Sequence, residues 1–217
     1  PTGGGKSLCY QVPAIAGDGI GIVISPLIAL MKDQVDQLNR LKVKAIAIHS
    51  GMSAYEIDIA LNNCVYGGYK FLYVSPERLG TRLFQARVVD MNVNLLAVDE
   101  AHCISQWGHD FRPEYRRLAE VRNRFPNAVC VALTATATPR VQQDIQQSLD
   151  FDASACLIGD FDRPNLMLAA EPRIDGGQEA AGVLQHLQSH RLAGAAHVVR
   201  RLDAVQHVDD GRGREGH

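Results

Sequence analysis

A run of apolar residues that ends abruptly in two acids sets the frame for this chain: Leu95, Leu96, Ala97 and Val98 lead straight into Asp99 and Glu100. Consecutive apolar residues without polar alternation fit a strand buried on both faces, as in parallel sheets covered by helices on each side. Such sheets bind ligands beyond the C-terminal ends of their strands, so acids at that point face a site and not the core. Further strands are expected at Ile20–Ser25, Val43–Ile48, Lys70–Val74 and Ala128–Leu133. Between them, Leu27, Leu30, Met31, Val35 and Leu38 have the spacing of a helix with one buried face. Ser53 and Glu56 have the spacing of a capping box for a helix to about Cys64. Pro113–Phe125 reads as another helix, and Thr138 with Pro139 as the N-cap and first turn of one running to about Leu149. Strands alternating with helices imply an α/β fold with a parallel, doubly wound sheet sandwiched between helices.

The chain opens on Pro-Thr-Gly-Gly-Gly-Lys-Ser. Glycines let backbone N–H groups curl around phosphate oxygens, and a helix starting at Lys6 adds the positive end of its dipole. This is the P-loop pattern, in which Thr2, Gly3, Gly4, Gly5, Lys6 and Ser7 form the nucleotide-binding turn. Lys6 reaches the β and γ phosphates, and Ser7 offers its hydroxyl to Mg²⁺. A plain glycine turn with a chance Gly-Lys-Ser is the alternative, and the acids at the end of a later strand argue against it. A P-loop follows a buried strand, so the P-loop NTPase (RecA-like) sheet is expected to be truncated at the N-terminus.

After Asp99 and Glu100 come Ala101 and His102, then a polar loop carrying Trp107, the only tryptophan, with Gln106, Gly108, His109, Asp110, Phe111 and Arg112 around it. With PTGGGKS, this stretch resembles the RecQ family of DNA helicases, within helicase superfamily two. The resemblance covers roughly Pro1 to Leu166, where several ordered motifs agree. It implies that DEAH is a Walker B motif: Asp99 holds Mg²⁺ and Glu100 polarises the water that attacks the γ-phosphate. By the same resemblance, His102 links the nucleotide site to the loop, although a structural histidine is the other reading. The loop is the family's aromatic-rich loop, which implies contact with single-stranded DNA by Trp107, Phe111 and Arg112. A base stacked on such a ring contributes ~1–3 kcal/mol; the competing reading has Trp107 plugging the domain's own surface.

Other segments match the family in order. SPLIALMKDQV resembles motif Ia, which implies phosphate contacts from Ser25 and Lys32, with a solvated lysine as the plain alternative for Lys32. SPERL resembles motif Ib and adds Ser75 as a DNA contact, although Ser-Pro-Glu also commonly starts a helix. TATATPRV resembles motif III, in which Thr134 and Thr136 bridge the DEAH carboxylates to moving parts. The family's adenine-recognition motif would lie before Pro1.

Bulk properties restrict the partners. Formal net charge is -2, so overall charge does not mark a nucleic-acid binder, but Arg112–Arg124 holds five arginines against Glu114 and Glu120. Any DNA contact must then be local. The five cysteines are scattered with no CxxC pair, which fits reduced thiols and gives no zinc site. No apolar run is long enough to span a membrane. The cysteine usage fits the cytosol, and the resemblance implies a chromosome-associated protein, nuclear if eukaryotic.

Residues 1–160 are read as the ATP-binding RecA-like domain, and 161–190 as the start of a linker and second RecA-like domain, on the strength of Asp162–Leu166. From Arg191 to His217 neither helical nor strand period is evident, and every Lys/Arg position after Lys70 is arginine. This tail reads as an out-of-frame translation of a GC-rich gene or a disordered extension. The resemblance implies an ATP-dependent 3′–5′ DNA helicase of repair and recombination, binding single-stranded and duplex DNA with ATP and Mg²⁺. A weakly active piece lacking its arginine finger is expected. The rivals are a non-catalytic nucleotide- or DNA-binding module and an RNA helicase of the same superfamily.

Overall fold

The computed structural model describes residues 5–159, 166–171 and 196–201. The chain divides into two compact units, Pro1–Ile158 and Gly159–His217. The first holds five strands, β1 (Ile20–Ile24), β2 (Ala45–Ile48), β3 (Phe71–Val74), β4 (Val93–Val98) and β5 (Val129–Ala132). All pair in parallel, in the order β2-β3-β1-β4-β5. Six helices connect them: α1 (Lys6–Ala16), α2 (Ile28–Arg40), α3 (Ala54–Tyr66), α4 (Arg82–Val88), α5 (Leu118–Arg124) and α6 (Pro139–Leu149).

The two-residue period of the strands sorts their side chains between two cores. Ile22, Ile24, Leu72, Val74, Leu96 and Val98 pack on one face with residues of α3, α4, α5 and α6. Val23, Phe71, Tyr73, Leu95 and Ala97 pack on the other with Tyr10 and Ala14 of α1 and Met31 and Leu38 of α2. The continuous apolar runs of β1, β3 and β4 are the sequence mark of strands covered on both sides. At the sheet's edge, β5 is less enclosed: Val129 is exposed and the next three residues are half-buried.

Local signals account for most boundaries. Ser53 caps α3 with the reciprocal bonds expected of a capping box: its Oγ accepts from the Glu56 N–H, and its own N–H donates to Glu56 Oε2 at 2.8 Å. Thr138 Oγ1 accepts from the Val141 N–H at the start of α6. β2 begins at Ala45, two residues later than expected, because Lys42 is left-handed and the Val43 N–H turns back to the Leu38 carbonyl. The helix expected over Pro113–Phe125 is in fact a 3₁₀ turn, Pro113–Arg117, followed by the shorter α5. Tighter winding of that turn brings Tyr115 beneath β4, where its hydroxyl donates to the Asp99 carbonyl at 3.3 Å. Helix α4, capped by Thr81, was not anticipated; at seven residues it is too short to show a periodic face.

In the second unit, β6 (Leu166–Glu171) and β7 (Ala196–Arg201) pair in parallel, with Leu166 opposite Ala196 and Glu171 opposite Arg201. A strand thus occupies part of the stretch where no period was evident. The remainder of the expected linker, most of Asp162–Leu166 and the rest of the tail lie outside the described residues.

Candidate nucleotide and DNA-coupling site

Gly5 initiates α1 in a left-handed conformation, with φ of 76°, which favours glycine there and lets the chain turn directly into the helix. Lys6 and Ser7 therefore stand in the first turn, among free N–H groups and the positive end of the dipole. Thr2, Gly3 and Gly4 lie outside the described residues. Lys6 is close enough to Asp99 to oppose the rise in its pKa, so the helix start and the end of β4 face one another.

At that strand end the Asp99 N–H continues the ladder to the Ile24 carbonyl at 2.8 Å, and the Asp99 side chain accepts from the Glu100 N–H at 3.0 Å. Asp99 is only 9% exposed. Burial, and then the neighbouring Glu100 carboxylate, push its carboxyl above the usual range; the Glu100 N–H, Lys6 and Ser25 oppose the rise. Glu100 itself is left-handed, with φ of 48° and ψ of 47°. A non-glycine residue in that region is strained by roughly 1–3 kcal/mol, and the turn separates the two carboxylates, leaving Glu100 the more exposed.

Among the described residues, no group of three or more His, Cys, Asp or Glu is arranged to hold a metal. One buried carboxylate and the Ser7 hydroxyl do not make a closed protein cage. They suit a hard divalent ion that keeps several waters and shares phosphate oxygens with a nucleotide.

His102, buried in the 3₁₀ turn Ala101–Ile104, joins this site to two other segments. Its Nδ1 lies 3.0 Å from Thr134 Oγ1 and 3.3 Å from Glu100 Oε2. Thr134 Oγ1 donates to the Thr136 carbonyl at 3.1 Å, so its proton is committed and Nδ1 must be the donor towards it. Burial first, then His109, lowers the His102 pKa, with Lys6 adding to the fall and Asp110 and Asp99 opposing it. Burial keeps the ring neutral, and with its single Nδ1 proton directed at Thr134 it stands 3.3 Å from Glu100 Oε2 in a close contact that is not an ion pair. Its face stacks on His109 with centroids 3.9 Å apart. Glu100, His102, Thr134 and the loop are thus brought together.

The loop after His102 is folded tightly on itself. Gly108 packs so closely that an added Cβ would meet the His102 carbonyl oxygen at 2.2 Å. The Gly108 N–H donates to the Ser105 carbonyl at 3.0 Å, and the Arg112 N–H to the Cys103 carbonyl at 3.0 Å. Trp107 is 70% exposed, which removes the reading in which it plugs the domain's own surface. Phe111 is half-buried beneath the Arg116 guanidinium, 5.6 Å from its ring centre. Arg112 donates from Nε and Nη2 to Asp110 Oδ2 at 3.2 and 3.1 Å and lies 3.8 Å from Glu77 Oε1. A phosphate would have to compete with those carboxylates for it. Burial and Asp110 push the Cys103 thiol up to about 12, so it is no nucleophile.

Two of the expected DNA contacts, Ser25 and Ser75, lie just past strand ends. Both side chains are buried, and among the described residues neither hydroxyl finds a hydrogen-bond partner. Ser25 instead faces Asp99. Lys32 is exposed on α2, near enough to His49 to help lower its pKa. Thr136 is exposed and Thr134 half-buried. Sequence reading missed Arg78, whose guanidinium donates to the carbonyls of His49, Ser50 and Met52 and shapes the β2–α3 loop. It also missed Tyr115 beneath Asp99, and the roles of His109 and Gly108. Each contact joins segments that carry no shared local pattern.

A glycine-led helix start facing two acids at the end of a parallel strand defines a P-loop nucleotide-binding domain. The model of the DEAD/DEAH box helicase family matches residues 1–145, and the chain belongs to that family. It is 48% identical over 172 residues to the ATP-dependent DNA helicase RecQ of Haemophilus influenzae, covering 79% of this chain and 28% of that protein. With the RecQ of Bacillus subtilis it shares 44% over 206 residues, covering 94% of this chain and 34% of that one. The RecQ resemblance read from the motifs is borne out by these relatives, of which the chain spans about a third or less. Among solved structures, the DUF1998 helicase MrfA bound to DNA and AMPPNP shares the fold, with a TM-score of 0.62 and 20% identity over 89% of this chain and 29% of that one.

Proposed function

We propose that this chain is the nucleotide-binding part of an ATP-dependent DNA helicase similar to RecQ, one that translocates 3′ to 5′ on single-stranded DNA and unwinds duplexes in repair and recombination. The observation that carries this reading is the nearness of Lys6, in the first turn of α1, to Asp99 at the end of β4, with α1 packed on that strand through Tyr10 and Ala14. In that arrangement Lys6 neutralises charge on the β and γ phosphates, and Glu100 orients the attacking water. Ser7 and Asp99 are the groups that would hold Mg²⁺, which supplies charge neutralisation on the transferred phosphoryl group. Neutral His102, 3.3 Å from Glu100, hydrogen-bonded to Thr134 and stacked on His109, connects the surroundings of the hydrolytic carboxylate to the loop of Trp107. Trp107 offers its exposed ring to an unpaired base, with half-buried Phe111 in the same loop. Lys32 and Arg112 would meet phosphates, Arg112 by exchanging Asp110 for one. A cytoplasmic, chromosome-associated location follows from the same reading.

An arginine finger from a second RecA-like domain accelerates phosphoryl transfer by roughly 10³–10⁵. Hydrolysis by this chain alone is therefore expected to be slow. The test is single-turnover ATP hydrolysis with and without single-stranded DNA, in this chain and in a longer form spanning the length of the relatives. Lys6→Ala and Glu100→Gln should each abolish turnover, and Trp107→Ala should lose the stimulation by DNA. Stimulation by RNA in preference to DNA would overturn the substrate assignment. Nucleotide binding without any turnover in the longer form would leave only a binding module.

A further inference from the structure

The loop that carries Trp107 is hydrogen-bonded to helix α6 through Ser105. Ser105, 1% exposed, donates its hydroxyl proton to Asp144 Oδ2 at 2.5 Å. Because that single proton is committed, Ser105 Oγ can face Trp107 only as an acceptor, and it takes the Trp107 N–H at 3.1 Å. A carboxylate acceptor strengthens the first bond and polarises the hydroxyl for the second. The other carboxylate oxygen, Oδ1, lies 3.7 Å from the exposed Arg140, while Oδ2 meets the buried Ser105. Asp144 is itself on a firm base, since Val141, Ile145 and Leu149 bury the adjoining face of α6 in the core. The helix begins at Pro139, three residues after Thr136, whose N–H donates to Thr134 Oγ1, the hydroxyl that meets His102.

We propose that Asp144 is a positioning residue for Trp107: it fixes the backbone of the DNA-contacting loop while leaving the indole free in solvent. The α6 helix and the Thr134–Thr136 segment before it would then move together with the loop. The DNA half of this inference rests on the function proposed above; the anchoring half does not. Asp144 reaches the loop by accepting from Ser105, so its effect is expected to pass through that hydroxyl.

The test uses the 217-residue chain and its single tryptophan. Amide hydrogen exchange is followed at Trp107 in Asp144→Ala, Asp144→Asn and Ser105→Ala, with Trp107 fluorescence anisotropy as a second readout. Losing a hydrogen bond to a charged acceptor should speed exchange at Trp107 by about tenfold or more and lower the anisotropy, while β4 amides keep their protection. Asp144→Asn retains an acceptor without the charge and should fall between wild type and Asp144→Ala. The double variant Asp144→Ala/Ser105→Ala should be no worse than Ser105→Ala alone, because both break one chain of bonds. Unchanged exchange at Trp107 in both single alanine variants overturns the proposal. So does an equal acceleration across β4 and α6, which would make Asp144 a general stability residue. Titration with a single-stranded oligonucleotide, read by Trp107 fluorescence, should require about tenfold more DNA for Asp144→Ala. A wild-type chain that gives no response to the oligonucleotide sinks the DNA reading, and the exchange result then decides the anchor on its own.

Discussion

Replacing Gly108 by alanine tests the coupling loop with the smallest possible change, a single methyl group. Its Cβ would lie 2.2 Å from the His102 carbonyl oxygen and 3.1 Å from the Ser105 carbonyl oxygen. Ordinary van der Waals contact needs about 1 Å more than the shorter of these, and both neighbours are backbone, which cannot swing aside as a side chain does. The loop must lift away from His102. In doing so it gives up the Gly108 N–H bond to Ser105 and the Trp107 N–H bond to Ser105 Oγ. At ~1 kcal/mol each, those two bonds come to about 2 kcal/mol, or roughly a 30-fold shift toward an undocked loop. The His102–His109 stack lies in the same segment and should loosen with it. By the same measure the thermal midpoint should fall by no more than about 4–8 °C, since the change is confined to the loop and its two bonds. Exchange at the Trp107 and Gly108 amides should accelerate about 30-fold, and single-stranded DNA should lose its effect on ATP hydrolysis in the longer protein. Protection at those amides within twofold of wild type would refute the close approach and the coupling argued from it.

Two further perturbations probe the site and its scaffold. Burial and Glu100 hold the Asp99 carboxyl above the usual carboxylate range. A raised folded-state pKa means that the stability Asp99 contributes is complete below its unfolded value of about 3.9 and is lost as pH rises through the folded one. Asp99→Asn should therefore have the higher Tm at pH 7, with the two curves converging in acid, while hydrolysis is lost; a wild type more stable than the variant at pH 7 refutes the sign. Ser53→Ala removes the side-chain half of the α3 capping box and should cost about 1 kcal/mol, lowering Tm by about 2–4 °C without affecting nucleotide binding.

What could be read from sequence and what could not follow from the range over which each signal acts. Apolar runs at β1, β3 and β4, the caps at Ser53 and Thr138, and the acids after Val98 are local patterns, and each determines its own stretch of chain through burial or backbone bonding. The parallel sheet follows from their alternation. The nearness of Lys6 to Asp99 is implied too, because a helix start and a strand end meet at one edge of such a sheet. Side-chain direction is another matter. Ser25 and Ser75 look like surface hydroxyls at strand ends, yet the pleat and the helices over it turn both inward. Arg112 looks like a free cation, yet Asp110 and Glu77 hold it. Tyr115 comes under Asp99 only because the chain winds there as a 3₁₀ turn. The contacts that give the loop its shape, His102 on His109, Gly108 on the His102 carbonyl and Ser105 on Asp144, join residues separated by up to 39 positions. The sequence by itself determined the sheet and the chemistry at its edge. Only the tertiary structure decided which neutral or charged group faces which, because a hydrogen bond depends on where two chains meet and not on the residues beside either one.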